Sequence, residues 1–154
     1  EQCKKENIKI KIFQQCIESQ TAKLNQVYRN LNLDFTLFNF TNNILDYFSE
    51  TELAITRSGS SVTAELVNCN IPFISIPYPY SADSHQEKNA IFLKKKGYSL
   101  LVDENEVNKK LFPLIKAIYK DKNLLNKMIE NQKKYSDKEV FLKINRLVES
   151  LKNE

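Results

Sequence analysis

Residues 52–66, ELAITRSGSSVTAEL, followed by residues 71–77, IPFISIP, decide the fold. Residues 53–56 are a short apolar run that reads as a strand, and it runs into the polar turn Arg57, Ser58, Gly59, Ser60, Ser61. Val62, Leu66 and Val67 then recur at helical spacing. Residues 72–76 return to a continuous apolar run bounded by prolines, as a buried strand does. Strand, tight loop, helix and strand within so few residues describe a parallel crossover unit.

The same alternation extends in both directions. Upstream, residues 8–14 (IKIKIFQ) and 35–40 read as strands, each followed by a helical stretch, residues 21–30 and 42–49. In the second of these, Ile44, Leu45 and Phe48 share a side. Downstream, a helix over residues 84–96 stops at Gly97, and residues 100–102 make one more strand. Beyond that the chain reads as helical to its end. Leu111, Leu114, Ile115 and Ile118 share a face, with Pro113 requiring a late helix start. A second stripe (Val140, Ile144, Leu147, Val148, Leu151) opens with a Ser136-x-x-Glu139 capping box. The expected fold class is α/β, an open parallel Rossmann-like sheet covered on both faces, with a helical C-terminal tail. No repeat or linker interrupts residues 1–154, so one domain is expected.

Composition excludes several classes. The 154 residues are 42% hydrophobic and 27% charged, with 2 Gly, 4 Pro and 3 Cys, which is neither collagen-like, disordered nor a disulfide scaffold. No apolar run approaches the ~18 residues of a membrane span, and residues 1–7 lack the apolar core of a signal peptide. Residue 1 is not Met, so the numbering is expected to begin inside a longer reading frame. Cys3, Cys16 and Cys69 are far apart and accompany a single histidine, so no metal site is expected. Cys16 and Cys69 read as small buried hydrophobes. The net charge of +4 rests almost wholly on lysine. Lys94, Lys95 and Lys96, like Lys133 and Lys134, read as solvated faces, and the basic balance is compatible with a weak attraction to anionic lipid headgroups. No aromatic residues interleave with a basic stripe, so no nucleic-acid partner is expected.

In sheets of this kind ligands sit where strand ends lead into helix N-termini. Two loops qualify. In the first, Gly59 marks either a special backbone angle or a close backbone approach. The hydroxyl residues after it open a helix whose free N–H groups suit a phosphate, and Glu65 follows about one turn in, where it can accept two ribose hydroxyls. The plain alternative is a capped helix with an exposed glutamate. The second loop, residues 80–90 (YSADSHQEKNA), crowds donors and acceptors at a helix start, a mixture that suits a sugar. Its plain alternative is an N-cap from Asp83 or Ser84 with a solvated first turn and His85 as filler.

Taken together and in order, ELAITRSGSSVTAEL, IPFISIP and DSHQEKNA (residues 83–90) resemble the carboxy-terminal, donor-binding domain of the MurG family of GlcNAc transferases. The resemblance covers about residues 8 to 150. It implies the carboxy-terminal half of a GT-B glycosyltransferase, binding UDP-GlcNAc without a cofactor or metal. By that resemblance Phe40 and Thr41 bracket the uracil, Thr41 through its backbone. Arg57, Ser58, Gly59, Ser60, Ser61 and Val62 form the turn beside the nucleotide, and Glu65 holds the ribose. His85 and Gln86 face the GlcNAc hydroxyls, with Asn89 completing the motif. Gln15 matches a family glutamine without an assigned role.

The family's GGSxGA diphosphate loop and its amino-terminal acceptor domain are expected to lie before residue 1. The lipid I acceptor, the catalytic base and the peripheral contact with the cytoplasmic face of the inner membrane would belong to that domain. The implied reaction moves GlcNAc onto lipid I to give lipid II. The alternatives are a donor subunit of a split transferase and a non-catalytic nucleotide-sugar binding module. In either case this chain alone is expected to lack transferase activity.

Overall fold

The computed structural model describes residues 1–134. The helical stripe and capping box expected between Ser136 and Leu151 lie outside the described residues. In chain order the elements are α1 (Gln2–Lys5), β1 (Lys11–Gln15), α2 (Glu18–Asn30), β2 (Asp34–Phe38), α3 (Ile44–Ser49) and β3 (Ala54–Thr56). There follow α4 (Ser60–Asn68), β4 (Phe73–Ser75), α5 (His85–Lys95), β5 (Ser99–Leu101), α6 (Val107–Lys120) and α7 (Asn123–Lys133). Every pairing is parallel, as the alternation requires, but the strands form two hydrogen-bonded sheets, β1-β2 and β3-β4-β5. The described residues form two compact units, Glu1–Glu52 with Val102–Leu124, and Leu53–Leu101 with residues 125–134.

The first unit carries the β1-β2 pair. Its register sets Ile12 beside Phe35 and Gln14 beside Leu37 on one face, and Phe13 beside Thr36 and Gln15 beside Phe38 on the other. Tyr28 of α2 packs on the first face, 5.3 Å from Phe35 between ring centroids, and donates its hydroxyl to Gln14. Burial raises the Tyr28 pKa. Tyr47 of α3 covers the second face, stacked on Phe38 at 4.2 Å and tilted against Phe13 at 5.4 Å. Tyr47, rather than Leu45, is thus the anchor of α3; Leu45 is exposed.

Helix α6 begins at Val107, directly after a 3₁₀ turn at Glu104–Glu106, and carries Pro113 inside it. The late start expected from the proline does not occur. Pro113 lies on the exposed side, where its missing N–H leaves a carbonyl that water can reach. The expected unbroken helical tail is divided at Asp121, whose extended backbone separates α6 from α7.

The second unit has the deeper core. Phe73, Ile74 and Ser75 of the central strand β4 are completely buried, with Leu66, Val67, Ala90, Leu93 and Met128 around them. A central parallel strand is covered on both faces, which is why residues 72–76 read as a continuous apolar run. Polar groups also hold this unit. Gln132 of α7, only 1% exposed, donates its amide to the carbonyls of both Ile71 and Tyr98 at 2.9 Å, tying the approaches to β4 and β5. Gly97 takes a positive φ of 71° after α5, as a helix-terminating glycine does. Asn131 donates to its carbonyl. Cys16 is buried as expected, whereas Cys69 is exposed just past the end of α4.

Candidate functional site

Both loops singled out in the sequence lie in the second unit, at the carboxyl ends of adjacent parallel strands. β3 leads through residues 57–59 into α4, and β4 leads through residues 76–84 into α5. Two side chains, Arg57 and Asn89, lace these loops together, and a third bond braces the second loop. Arg57 donates to the Ile76 and Pro77 carbonyls at 3.3 and 3.4 Å, and its guanidinium lies 5.7 Å from the Tyr78 ring centroid. Asn89 of α5 donates to the Ser58 carbonyl at 3.1 Å. The Tyr78 N–H donates to Oε1 of Gln86 at 3.0 Å. The motif residues Arg57, Ser58, Gln86 and Asn89 therefore meet, and part of their role is to hold one loop against the other.

Gly59 departs from one of the two readings it carried. Its φ of −65° is ordinary, and an added Cβ would meet only Val62, at 3.9 Å. Neither backbone angle nor crowding by the protein demands glycine there, and the backbone is bare at this point. Gly59 also occupies the N-cap of α4 with no side-chain cap. The Thr63 hydroxyl donates to the Gly59 carbonyl at 2.8 Å, and no side chain caps the first-turn N–H groups of α4. Ser60 and Ser61 are exposed and Val62 is half-buried. Ser58 is completely buried, and its hydroxyl has no partner. Glu65 is exposed further along α4.

The start of α5 is unusual. Asp83 and Ser84 both have positive φ, 47° and 52°, and neither caps the helix through its side chain. Ser84 is the N-cap residue and the first turn is largely exposed, as in the plain alternative, but the expected side-chain cap is absent. Two successive left-handed non-glycine residues cost of order 1–3 kcal/mol each, strain of the kind that gathers at binding loops. His85 donates from Nδ1 to the Ala82 carbonyl at 2.7 Å, which leaves Nε2 free of that contact. Because Gln86 already uses its carbonyl oxygen on Tyr78, the Nε2 amide is what it can offer a ligand.

Phe40 and Thr41 belong to the first unit. Phe40 follows β2 and is 80% exposed. The Thr41 hydroxyl accepts the Asn43 N–H at 3.0 Å, closing a small turn that leads into α3. Gln15, at the end of β1, is exposed. Sequence reading had not assigned roles to Tyr78 or Ser81. Tyr78 links Arg57 to Gln86, and the Ser81 hydroxyl accepts the Gln86 N–H at 3.3 Å. The signal for Tyr78 was the Pro-Tyr-Pro-Tyr run at 77–80, whose fixed proline angles stiffen the turn.

The profile of the glycosyltransferase family 28 C-terminal domain matches residues 1–144. A Pelagibacter ubique protein is 33% identical over 140 residues, covering 89% of this chain and 36% of its own length. A Rickettsia bellii protein is 34% identical over 143 residues, covering 87% and 40%. Both are named UDP-N-acetylglucosamine–N-acetylmuramyl-(pentapeptide) pyrophosphoryl-undecaprenol N-acetylglucosamine transferase. The crystal structure of Acinetobacter baumannii MurG superposes with a TM-score of 0.72 at 22% identity, covering 83% of this chain and 38% of that one. This likeness shows the same α/β fold. The chain thus spans well under half the length of these relatives, and with its profile match over residues 1–144 it belongs to the glycosyltransferase family 28 C-terminal domain family.

Proposed function

We propose that the 154 residues act as one donor-binding domain of a GlcNAc transferase, gripping UDP-GlcNAc for transfer to lipid I and so forming lipid II. The observation that carries this reading is the lacing of the two motif loops at the ends of β3 and β4, in a chain of this family. The uncapped start of α4 suits the donor diphosphate, and the bare Gly59 lets it come close. Glu65 accepts the ribose hydroxyls. His85 Nε2 and Gln86 Nε2 supply an acceptor and a donor to the GlcNAc hydroxyls. Phe40 and the Thr41 backbone bracket the uracil.

Every residue assigned here holds the donor, and the acceptor site and base are supplied by the rest of the transferase. Orientation of donor against acceptor can supply ~7–11 kcal/mol of the barrier, so the chain by itself is inactive. Its relatives' names carry an undecaprenol-linked substrate, and with such an acceptor the working enzyme acts peripherally at the cytoplasmic face of the inner membrane, a reading these names support.

The test is calorimetry of UDP-GlcNAc binding to the parent chain and to Glu65→Gln. A charge-assisted hydrogen bond is worth about 1.5–3 kcal/mol, so affinity falls roughly one to two decades. Equal affinity for both proteins removes Glu65 from the site.

A further inference from the structure

The turn between β4 and α5 is poor in backbone bonds of its own. Pro77 and Pro79 have no N–H, and residues 77–81 share one backbone bond, from the Ser81 N–H to the Tyr78 carbonyl at 3.2 Å. A side chain from the neighbouring loop supplies what the prolines lack. Nη1 of Arg57 reaches the Ile76 carbonyl at 3.3 Å and the Pro77 carbonyl at 3.4 Å, and the guanidinium lies 5.7 Å from the Tyr78 ring centroid. The Pro77 carbonyl and the Tyr78 N–H are the two ends of one planar peptide. Arg57 holds the first end, and the second donates to Oε1 of Gln86 at 3.0 Å. Rotation of that peptide would break both bonds together. The two ends of the Gln86 amide are nearly alike in shape, so it is this bond that turns the oxygen inward and the Nε2 donor outward.

We propose that Arg57 is a positioning residue for sugar recognition: by holding the Pro77–Tyr78 peptide it fixes which end of Gln86 faces the donor sugar. The inference rests on the donor-binding reading and goes beyond it, because it gives the guanidinium to the turn rather than to the diphosphate. Charge alone would pair an arginine in this loop with a phosphate. Two carbonyl contacts across 19 and 20 residues, and the ring beyond them, give it a different task.

Calorimetric affinities of the 154-residue chain for UDP-GlcNAc and for UDP test this through their ratio. Arg57→Met keeps an apolar stem and removes the donors. It lowers UDP-GlcNAc affinity roughly three- to tenfold and leaves UDP affinity unchanged. Arg57→Lys can donate to the carbonyls but cannot lie flat on a ring, so it recovers part of the loss. Arg57 is exposed, so both variants are expected to fold. In a Gln86→Ala background Arg57→Met changes the ratio no further, because the residue through which it acts is gone. Hydrogen exchange adds a readout without ligand: the Tyr78 amide exchanges faster in Arg57→Met than in the parent. Equal losses for UDP and UDP-GlcNAc would put Arg57 on the diphosphate and overturn the proposal. So would an unchanged ratio, additive losses in the double variant, or a Tyr78 amide that exchanges as in the parent. A parent chain that binds neither UDP nor UDP-GlcNAc overturns the donor-binding reading itself, and this proposal with it.

Discussion

The two units hold together by different physics. In the second unit the central strand β4 is fully buried, and the internal polar bonds of Gln132, Asn131 and Asn89 tie its loops to its helices. In the first unit no residue of β1 or β2 is buried. That unit has a smaller core of Ile8, Cys16, Val102 and Ile118, with Tyr28 and Tyr47 clamping a two-stranded sheet from both faces and surface ion pairs around it. Lys11–Glu50, Lys116–Glu6, Lys122–Glu52 and Lys110–Glu106 all belong to it. Buried apolar area is insensitive to salt, whereas exposed ion pairs are screened within ~10 Å at 0.1 M. The unit that holds the laced motif loops is therefore the one with the more deeply buried sheet, which suits a preorganised site.

The largest expected effect breaks the stronger side. Phe73→Ala removes a completely buried aromatic side chain and costs about 3–5 kcal/mol in urea unfolding. Phe35→Ala, at a half-buried position of β2, costs less than half as much. Equal losses would erase the distinction between the units. Next comes Gln132→Leu, which keeps the volume but leaves the Ile71 and Tyr98 carbonyls without their donor. It lowers stability by about 2–3 kcal/mol in the same experiment.

The two glycines sharpen the picture within the second unit. At Gly97 a Cβ would sit 2.4 Å from the Asn131 side chain on a positive-φ backbone, so Gly97→Ala destabilises by about 1–2 kcal/mol. Gly59→Ala has room for the added Cβ and costs only an N-cap exchange, at most about 1 kcal/mol, while weakening UDP-GlcNAc binding.

The smallest effect concerns charge in the first unit. The hydrogen bond and charge of Lys116 hold the Glu6 carboxyl below its ordinary range. A depressed carboxyl pKa stabilises the fold above the unfolded value, and that contribution fades as pH falls through the folded one. Hydrogen exchange should therefore show α1 and α6 loosening in acid, and in high salt, before β4 does.

Much of this was legible in the sequence. The unbroken apolar run at 72–76 marked the buried strand, and Gly97 marked a helix end because only a residue tolerating positive φ fits there. The convergence of the loops was not legible, since a bond such as Asn89 to Ser58 spans 31 residues and leaves no local pattern. Gln132 looked like any polar helix residue, because hydropathy cannot show that a buried amide serves two carbonyls. Asp83 and Ser84 resembled helix caps, and their left-handed backbone follows from the loop's tertiary setting rather than from residue type. Gln86 read as a free donor and acceptor until Tyr78 was seen to occupy its oxygen. Gln86→Glu keeps that inner bond and removes the outward amide, so it should reduce preference for UDP-GlcNAc over its C4 epimer without loosening the loop.

The most direct measurement is a titration of the isotopically labelled 154-residue chain with UDP-GlcNAc, followed by amide chemical shifts. Saturable shifts confined to residues 57–65, 78–89 and 40–41 are the predicted result, with UDP alone reproducing those at 40–41 and 57–65 but not those at His85 and Gln86. Shifts that do not saturate, or that gather away from the laced loops, would contradict the donor-binding account.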